Sequence, residues 1–179
     1  MVFHNSLSLY DIRFELSMKL SIIFALIFIL AGAVVQGIEW KQIFDRPAFY
    51  SIMASGNIED LNEELILLSS TSICEKEAYE GALLMRKAGL LKKASEKLQF
   101  FKEGRTKLET ALLKDSVNGE YHFLRLSIQE HAPETVKYRT ELEADKQYII
   151  KTFKNLLPAV QQAIIEYSKN SIILRPQDF

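Results

Sequence analysis

The chain has 179 residues, 22 basic and 23 acidic side chains, and a formal net charge of −1. That balance lacks the basic excess that nucleic-acid binding requires. A single cysteine, Cys74, excludes an intrachain disulfide, and nearly half of the residues are hydrophobic, enough for a real core.

Residues 1–17, MVFHNSLSLYDIRFELS, mix two acids, one arginine and scattered apolar side chains. The run that follows a second methionine, Met18, does not need them, so translation is expected to begin at Met18. Between Lys19 and Glu39 there is no charge, and the strongly apolar part spans residues 20–35. As a helix it would reach roughly 24 Å, against about 30 Å for a bilayer core. The run has the three parts of a secretory signal: basic Lys19, the apolar stretch Leu20 to Leu30, and small residues that place cleavage near Ala33 or Gly37. The alternative is a retained anchor over residues 20–35. Eleven Leu, Ile, Phe or Val side chains there give about −3 to −7 kcal/mol for insertion. Either outcome exports the rest, to the periplasm or as a secreted protein. Contact with a membrane is expected only through this segment.

Residues 38–170 are expected to form one helical domain, with 171–179 as a tail. No sustained alternation argues for strands. Helix one starts at Pro47, offers Phe49, Tyr50 and Met53, and ends at Gly56 in the left-handed conformation. Asn57 caps helix two, whose Ile58, Leu61, Leu65 and Leu68 form a stripe. Ser72-Ile-Cys-Glu75 has a capping-box pattern for helix three. There Ala78, Tyr79, Ala82, Leu83 and Arg86 share helical spacing, and the alanines with Gly81 let a neighbour approach; Gly89 closes the helix. Helix four runs from about Ser95 to Lys114, with Leu98, Phe101, Arg105, Leu108 and Leu112 in step, and DSVNGE breaks it. Helix five, Glu120 to His131, carries Tyr121, Leu124, Arg125 and Ile128, and Pro133 stops it. Helix six is expected from Val136 to Leu156, polar in its first half. Pro158 opens helix seven, with Val160, Ala163, Ile164 and Tyr167 on one face. Ile173 and Leu174 would dock the tail.

The stretch from Gly104 to Asn118 resembles the second helix of a tetratricopeptide repeat. The family's small, bulky and alanine positions hold Gly104, Leu108 and Ala111, and Ser116 stands where the family has proline. The preceding helix lacks the family's tryptophan–leucine–glycine–tyrosine pattern. The stretches KEAYEGALLMRKAGLLKKASEKL and EYHFLRLSIQEHAP resemble a group of small, uncharacterised exported proteins of Bacteroidetes-type bacteria. These resemblances imply an all-α domain of about seven helices in serial antiparallel hairpins, tetratricopeptide-like, and bring no activity with them.

Candidate chemistry is sparse. Cys74 reads as a buried small apolar residue, because its flanks identify no activating base. His122 and His131 are nine apart, about 180° around a helix, and cannot share a metal there. Glu141 and Asp145 share a face, read as solvated. Phosphate loops and nucleophile elbows are absent. Arg125 lies among core-facing positions, and Arg86 and Arg105 on apolar stripes. Such arginines pair internally with Glu77, Glu80 or Glu130, or their stems snorkel to solvent, or they form with Tyr79 and Tyr121 a pocket for an anionic group. The expectation is a non-catalytic scaffold for an unknown protein or peptide partner in the envelope, with no cofactor and no metal. The alternatives are a small-ligand binder or enzyme using those arginines and tyrosines, or a membrane-tethered subunit of a larger assembly.

Overall fold

The chain divides into two units, residues 1–41 and 42–179, and the computed structural model describes Lys19 and residues 43–179. The expected start at Met18, the apolar leader and its cleavage near Ala33 or Gly37 lie outside the described residues. Among the described residues no helix is long and apolar enough to cross a membrane.

The second unit is all-α: seven helices, three short 3₁₀ turns and, among the described residues, no strand. The helices are α1 (Arg46–Ser55), α2 (Ile58–Ser70), α3 (Lys76–Leu90), α4 (Ala94–Lys114), α5 (Gly119–His131), α6 (Leu142–Thr152) and α7 (Pro158–Ser168). Packing is mostly between neighbours in sequence, most extensively α3 with α4, then α5 with α6 and α2 with α3. Two longer-range contacts complete it: α3 meets α5, and α1 meets α7.

Local signals account for much of this. Pro47 lies in the opening turn of α1, where its missing N–H is not needed. Gly56 ends that helix at φ 64°, a conformation cheap only for glycine. Asn57 Oδ1 then accepts from the amides of Glu59 and Asp60, at 2.8 and 3.3 Å, and starts α2. The small residues of α3 do bring a neighbour close, and that neighbour is α4. A Cβ on Gly104 would stand 2.6 Å from the Gly81 carbonyl oxygen and 2.9 Å from the Met85 amide nitrogen. Leu108, Ala111 and Leu112 continue the contact as buried residues.

The core has two parts. Phe49, Leu61, Leu68, Tyr79, Leu83, Leu108, Leu124 and Tyr138 belong to the first. Phe123, Leu126, Ile149, Val160, Ile164 and Leu174 form the second. Each fully buried leucine contributes about 1.5–3 kcal/mol. Helix α5 serves both parts, sending Tyr121, Leu124 and Ile128 to one and Phe123 and Leu126 to the other. That is why its sequence shows no single narrow stripe. Leu174 is fully buried in the second core, so the tail does dock.

Several local expectations are corrected. Helix α3 starts at Lys76, and Glu75 bonds Arg46 instead of closing a box with Ser72. The helix runs past Gly89 to Leu90 because Gly89 stays helical. Cys74 is exposed, in the turn that precedes α3. Leu98, expected on the apolar stripe of α4, is 48 % exposed. The expected helix six is broken. Glu134–Val136 is a separate 3₁₀ turn, Lys137 takes φ 48°, and α6 begins only at Leu142.

Candidate functional site

The opening turn of α5 stands at a cleft of about 410 Å³. Its walls come from α1 (Arg46), the turn before α3 (Glu75), the α4–α5 connection (Asp115, Val117, Asn118), α5 (Gly119, Glu120) and the segment from Thr152 to Val160. Asn118 builds the corner. Its Oδ1 accepts from the amides of Glu120 and Tyr121, and its Nδ2 donates to Asp115 Oδ2 at 3.2 Å. The Glu120 and Tyr121 amides in the first turn of α5 are thereby occupied.

Glu120 is the buried member, at 5 % exposure. Its Oε1 accepts from the phenols of Tyr79 (2.7 Å) and Tyr50 (2.8 Å). Burial first, and the Glu120 charge next, push both phenols well above their ordinary range, so both O–H groups stay as donors at neutral pH. Arg46 Nη2 donates to Glu75 Oε1 at 2.6 Å, while its Nε lies 3.5 Å from Glu120 Oε2. That Nε is buried and makes no hydrogen bond. The contact with Glu120 is therefore coulombic, and Glu120 Oε2 accepts no hydrogen bond. Burial works against the Arg46 charge, but Tyr79, Glu120 and Glu75 outweigh it and raise its pKa. On the rim, Val117 is 74 % and Leu157 50 % exposed.

A second buried charge cluster joins α5 to α6. Asp145 is 0 % exposed and takes Arg125 Nε at 2.8 Å and Nη2 at 2.7 Å, a two-pronged contact. His122 Nδ1 lies 2.6 Å from the same carboxylate, and its Nε2 lies 3.0 Å from the Ser116 carbonyl. Arg125 Nη1 reaches Glu109 Oε2 at 3.1 Å, and Tyr138 donates to Glu109 Oε1 at 2.5 Å. Burial disfavours the Arg125 charge, yet its bonds to Asp145 prevail and raise its pKa. The face expected to be solvated at Glu141 and Asp145 is thus largely internal, and Glu141 accepts from Gln129 at 3.0 Å.

The sequence-predicted residues separate into different places. Tyr79 belongs to the Glu120 cluster. Tyr121 is buried in the first core, where burial and then Glu75 push its phenol up to about 12. Arg125 pairs internally, with Asp145 and Glu109 in place of Glu77, Glu80 or Glu130. Arg105 is exposed, its guanidinium 4.7 Å from the centre of the Tyr138 ring, so it does not lie on a buried stripe. Arg86 Nε donates to the Met53 carbonyl at 2.9 Å, placing a cation at the C-terminal end of α1. Arg105 lies over the Tyr138 ring and Arg125 shares Glu109 with the Tyr138 phenol; Arg86 and Tyr79 lie elsewhere.

Glu120 and Arg46 stand in no motif, and Asp145 was expected on a solvated face. A signal for two of them existed. Glu120 stands three and four residues before Phe123 and Leu124, and Asp145 four before Ile149, so both carboxylates fall on buried faces. Among the described residues no group of three or more His, Cys, Asp or Glu side chains is arranged to hold a metal ion. No family model, curated protein or solved structure matches this chain.

Proposed function

We propose that this is an exported, non-catalytic helical domain that holds a protein or peptide partner in the cell envelope. The observation that carries the reading is the α5 cleft. It is open, has the volume for one or two side chains of a partner, and presents the exposed apolar rim of Val117 and Leu157 beside fixed charges. Exposed apolar side chains next to a polar floor are what partner-binding surfaces offer. The tetratricopeptide-like part of the reading draws support from α3 and α4, an antiparallel pair in close contact through Gly104, Leu108 and Ala111. Export rests on the apolar leader in the sequence.

The test is a random-peptide display selection on the purified protein, repeated on Val117→Glu/Leu157→Glu. Both side chains are largely solvated, so the double variant should unfold at the wild-type temperature. Peptides selected on the wild type should bind it at least about tenfold more weakly. Failure to select any peptide above background, or equal binding by the variant, would remove the reading.

A further inference from the structure

We propose that Glu64 is a proton-operated latch: protonated, its buried carboxyl lets α2 close on the entry to α1, and ionised, it loosens that entry. Glu64 stands one helical turn from Leu61 and Leu68, both fully buried in the first core. That register carries its side chain inward, to 6 % exposure. Its Oε1 is buried without a hydrogen-bond partner, and among the described residues the carboxylate forms no ion pair. An ionised carboxylate in that state is costly. With Oε1 covered by protein, the charge is relieved most directly by a proton, which needs no room.

The elements packed around Glu64 offer it no cation. Its own helix carries three more acids, Glu59, Asp60 and Glu63, and no basic residue. On α1, Arg46 is bonded to Glu75. On α3, Lys76 donates to the Ser69 carbonyl, Arg86 to the Met53 carbonyl, and Lys87 lies over the Phe100 ring. The α3 acids Glu77 and Glu80 are paired with lysines of α4. The charge that does act on Glu64 is of like sign: Asp45, immediately before α1. Burial first, and Asp45 next, raise the Glu64 pKa above the ordinary glutamate value. The entry that this repulsion disturbs is well defined. The Asp45 carbonyl accepts from the Phe49 amide at 3.0 Å and closes the first turn of α1, and the neighbouring Phe44 ring lies 4.6 Å from that of Tyr79. A raised folded-state pKa places the penalty above the unfolded value, about 4.3. The penalty grows from there to the folded value, is complete above it, and is absent below both. Glu130, whose pKa is lowered, acts on the other side of the unfolded value.

Carboxyl NMR of the carbon-13-labelled wild type tests the proton directly and needs no variant to fold. The Glu64 signal should titrate above the ordinary glutamate value; a midpoint at or below about 4.3 would overturn the latch. Asp45→Asn should move that midpoint down, and it sacrifices no cap, because the Asp45 side chain makes no capping bond. An unmoved midpoint would overturn Asp45 as the opposing charge. Thermal melts should show Glu64→Gln close to wild type at pH 4.5 and about 3 °C above it at pH 8. Only the difference between the two proteins is read, so groups they share cancel. Glu64→Met, apolar and of similar length, should gain at pH 8 as well. A difference of the same sign and size at both pH values would overturn the latch. Amide exchange, corrected for intrinsic rates, reads the loosening. From pH 5 to pH 8, protection at Phe49 should fall relative to Leu108 in the wild type and stay constant in Glu64→Gln. A constant ratio in the wild type would overturn the release of the α1 entry.

Discussion

The α3–α4 pair and the α5–α6 pair are both antiparallel neighbours, and opposite physics holds them. Between α3 and α4 the contact is made by what is missing: Gly81 and Gly104 let the backbones meet, and alanines and leucines fill the rest. Between α5 and α6 it is made by charge, with Asp145 wholly buried against Arg125 and His122. The first joint also carries the ion pairs Lys107–Glu80 and Lys114–Glu77, but it fails when atoms are added. The second is also close at Gly119, where a Cβ would stand 2.5 Å from Thr152 Oγ1, but it fails when a charge loses its counterpart.

The largest expected effect lies in the second joint. Asp145→Ala leaves the Arg125 guanidinium buried with Glu109 alone. Loss of one partner of such a pair costs about 3–5 kcal/mol, read as a lowered midpoint in urea unfolding. Arg125→Met/Asp145→Leu, which removes both charges, should recover much of that loss. A double variant no more stable than Asp145→Ala would mean that packing, and not charge, joins α5 to α6.

The first joint should answer to volume. Gly104→Val places a branched side chain where even one carbon would stand 2.6 Å from the Gly81 carbonyl oxygen and 2.8 Å from Met85 Cγ. Backbone atoms cannot yield as a side-chain tip can, so the cost should approach the upper end of overpacking, about 3 kcal/mol. Unlike the charge deletion, it should not change with salt. A wild-type unfolding midpoint for Gly104→Val would show that α4 slides freely on α3.

How far each joint could be read in the sequence follows from the same contrast. Gly56, Asn57, the small residues of α3 and the stripes of α2 and α7 act within a few residues of themselves, and each was legible; in α4, Leu108 and Leu112 were, while Leu98 and Arg105 are exposed. The charge contacts join residues far apart in the chain: Arg125 with Asp145 across 20, Tyr79 with Glu120 across 41, Arg46 with Glu75 across 29. Periodicity shows that a carboxylate lies on a buried face but does not show which cation meets it. The same limit explains why Arg125 was matched to Glu77, Glu80 or Glu130. It also explains why the first half of helix six read as solvated: Glu141 and Asp145 are partnered from α5, and Lys137 in the left-handed region delays the helix.

A smaller, pH-dependent effect marks where α5 holds the tail. Glu130 accepts from Ser171 Oγ and the Ile172 amide, both at 2.7 Å, and from the Tyr167 phenol. Burial pushes its pKa up, but these three bonds prevail and hold it below the ordinary glutamate value. A depressed folded-state pKa gives stability that is present above the unfolded value, about 4.3, and lost as pH falls through the folded one. Glu130→Gln should therefore lower the melting temperature at pH 7, with a loss of about 1–2 kcal/mol. The gap from wild type should close as pH drops below about 4. A gap that persists unchanged at pH 3 would show that the tail is held by Leu174 and not by the carboxylate.

The smallest expected difference compares two caps of the same chemistry. Asn57 caps α2 in the open, and its side chain satisfies two amides and nothing more. Asn118 does the same for α5 but is half-buried and also donates to Asp115. Asn57→Ala should cost about 1 kcal/mol, the ordinary value of a cap. Asn118→Ala should exceed it by several tenths, up to about 1 kcal/mol, because Asp115 loses its donor as well. The excess should fall when the comparison is repeated in an Asp115→Asn background, since an uncharged acceptor loses less by being left alone. Equal losses in both backgrounds would place Asp115 outside the corner that shapes the cleft.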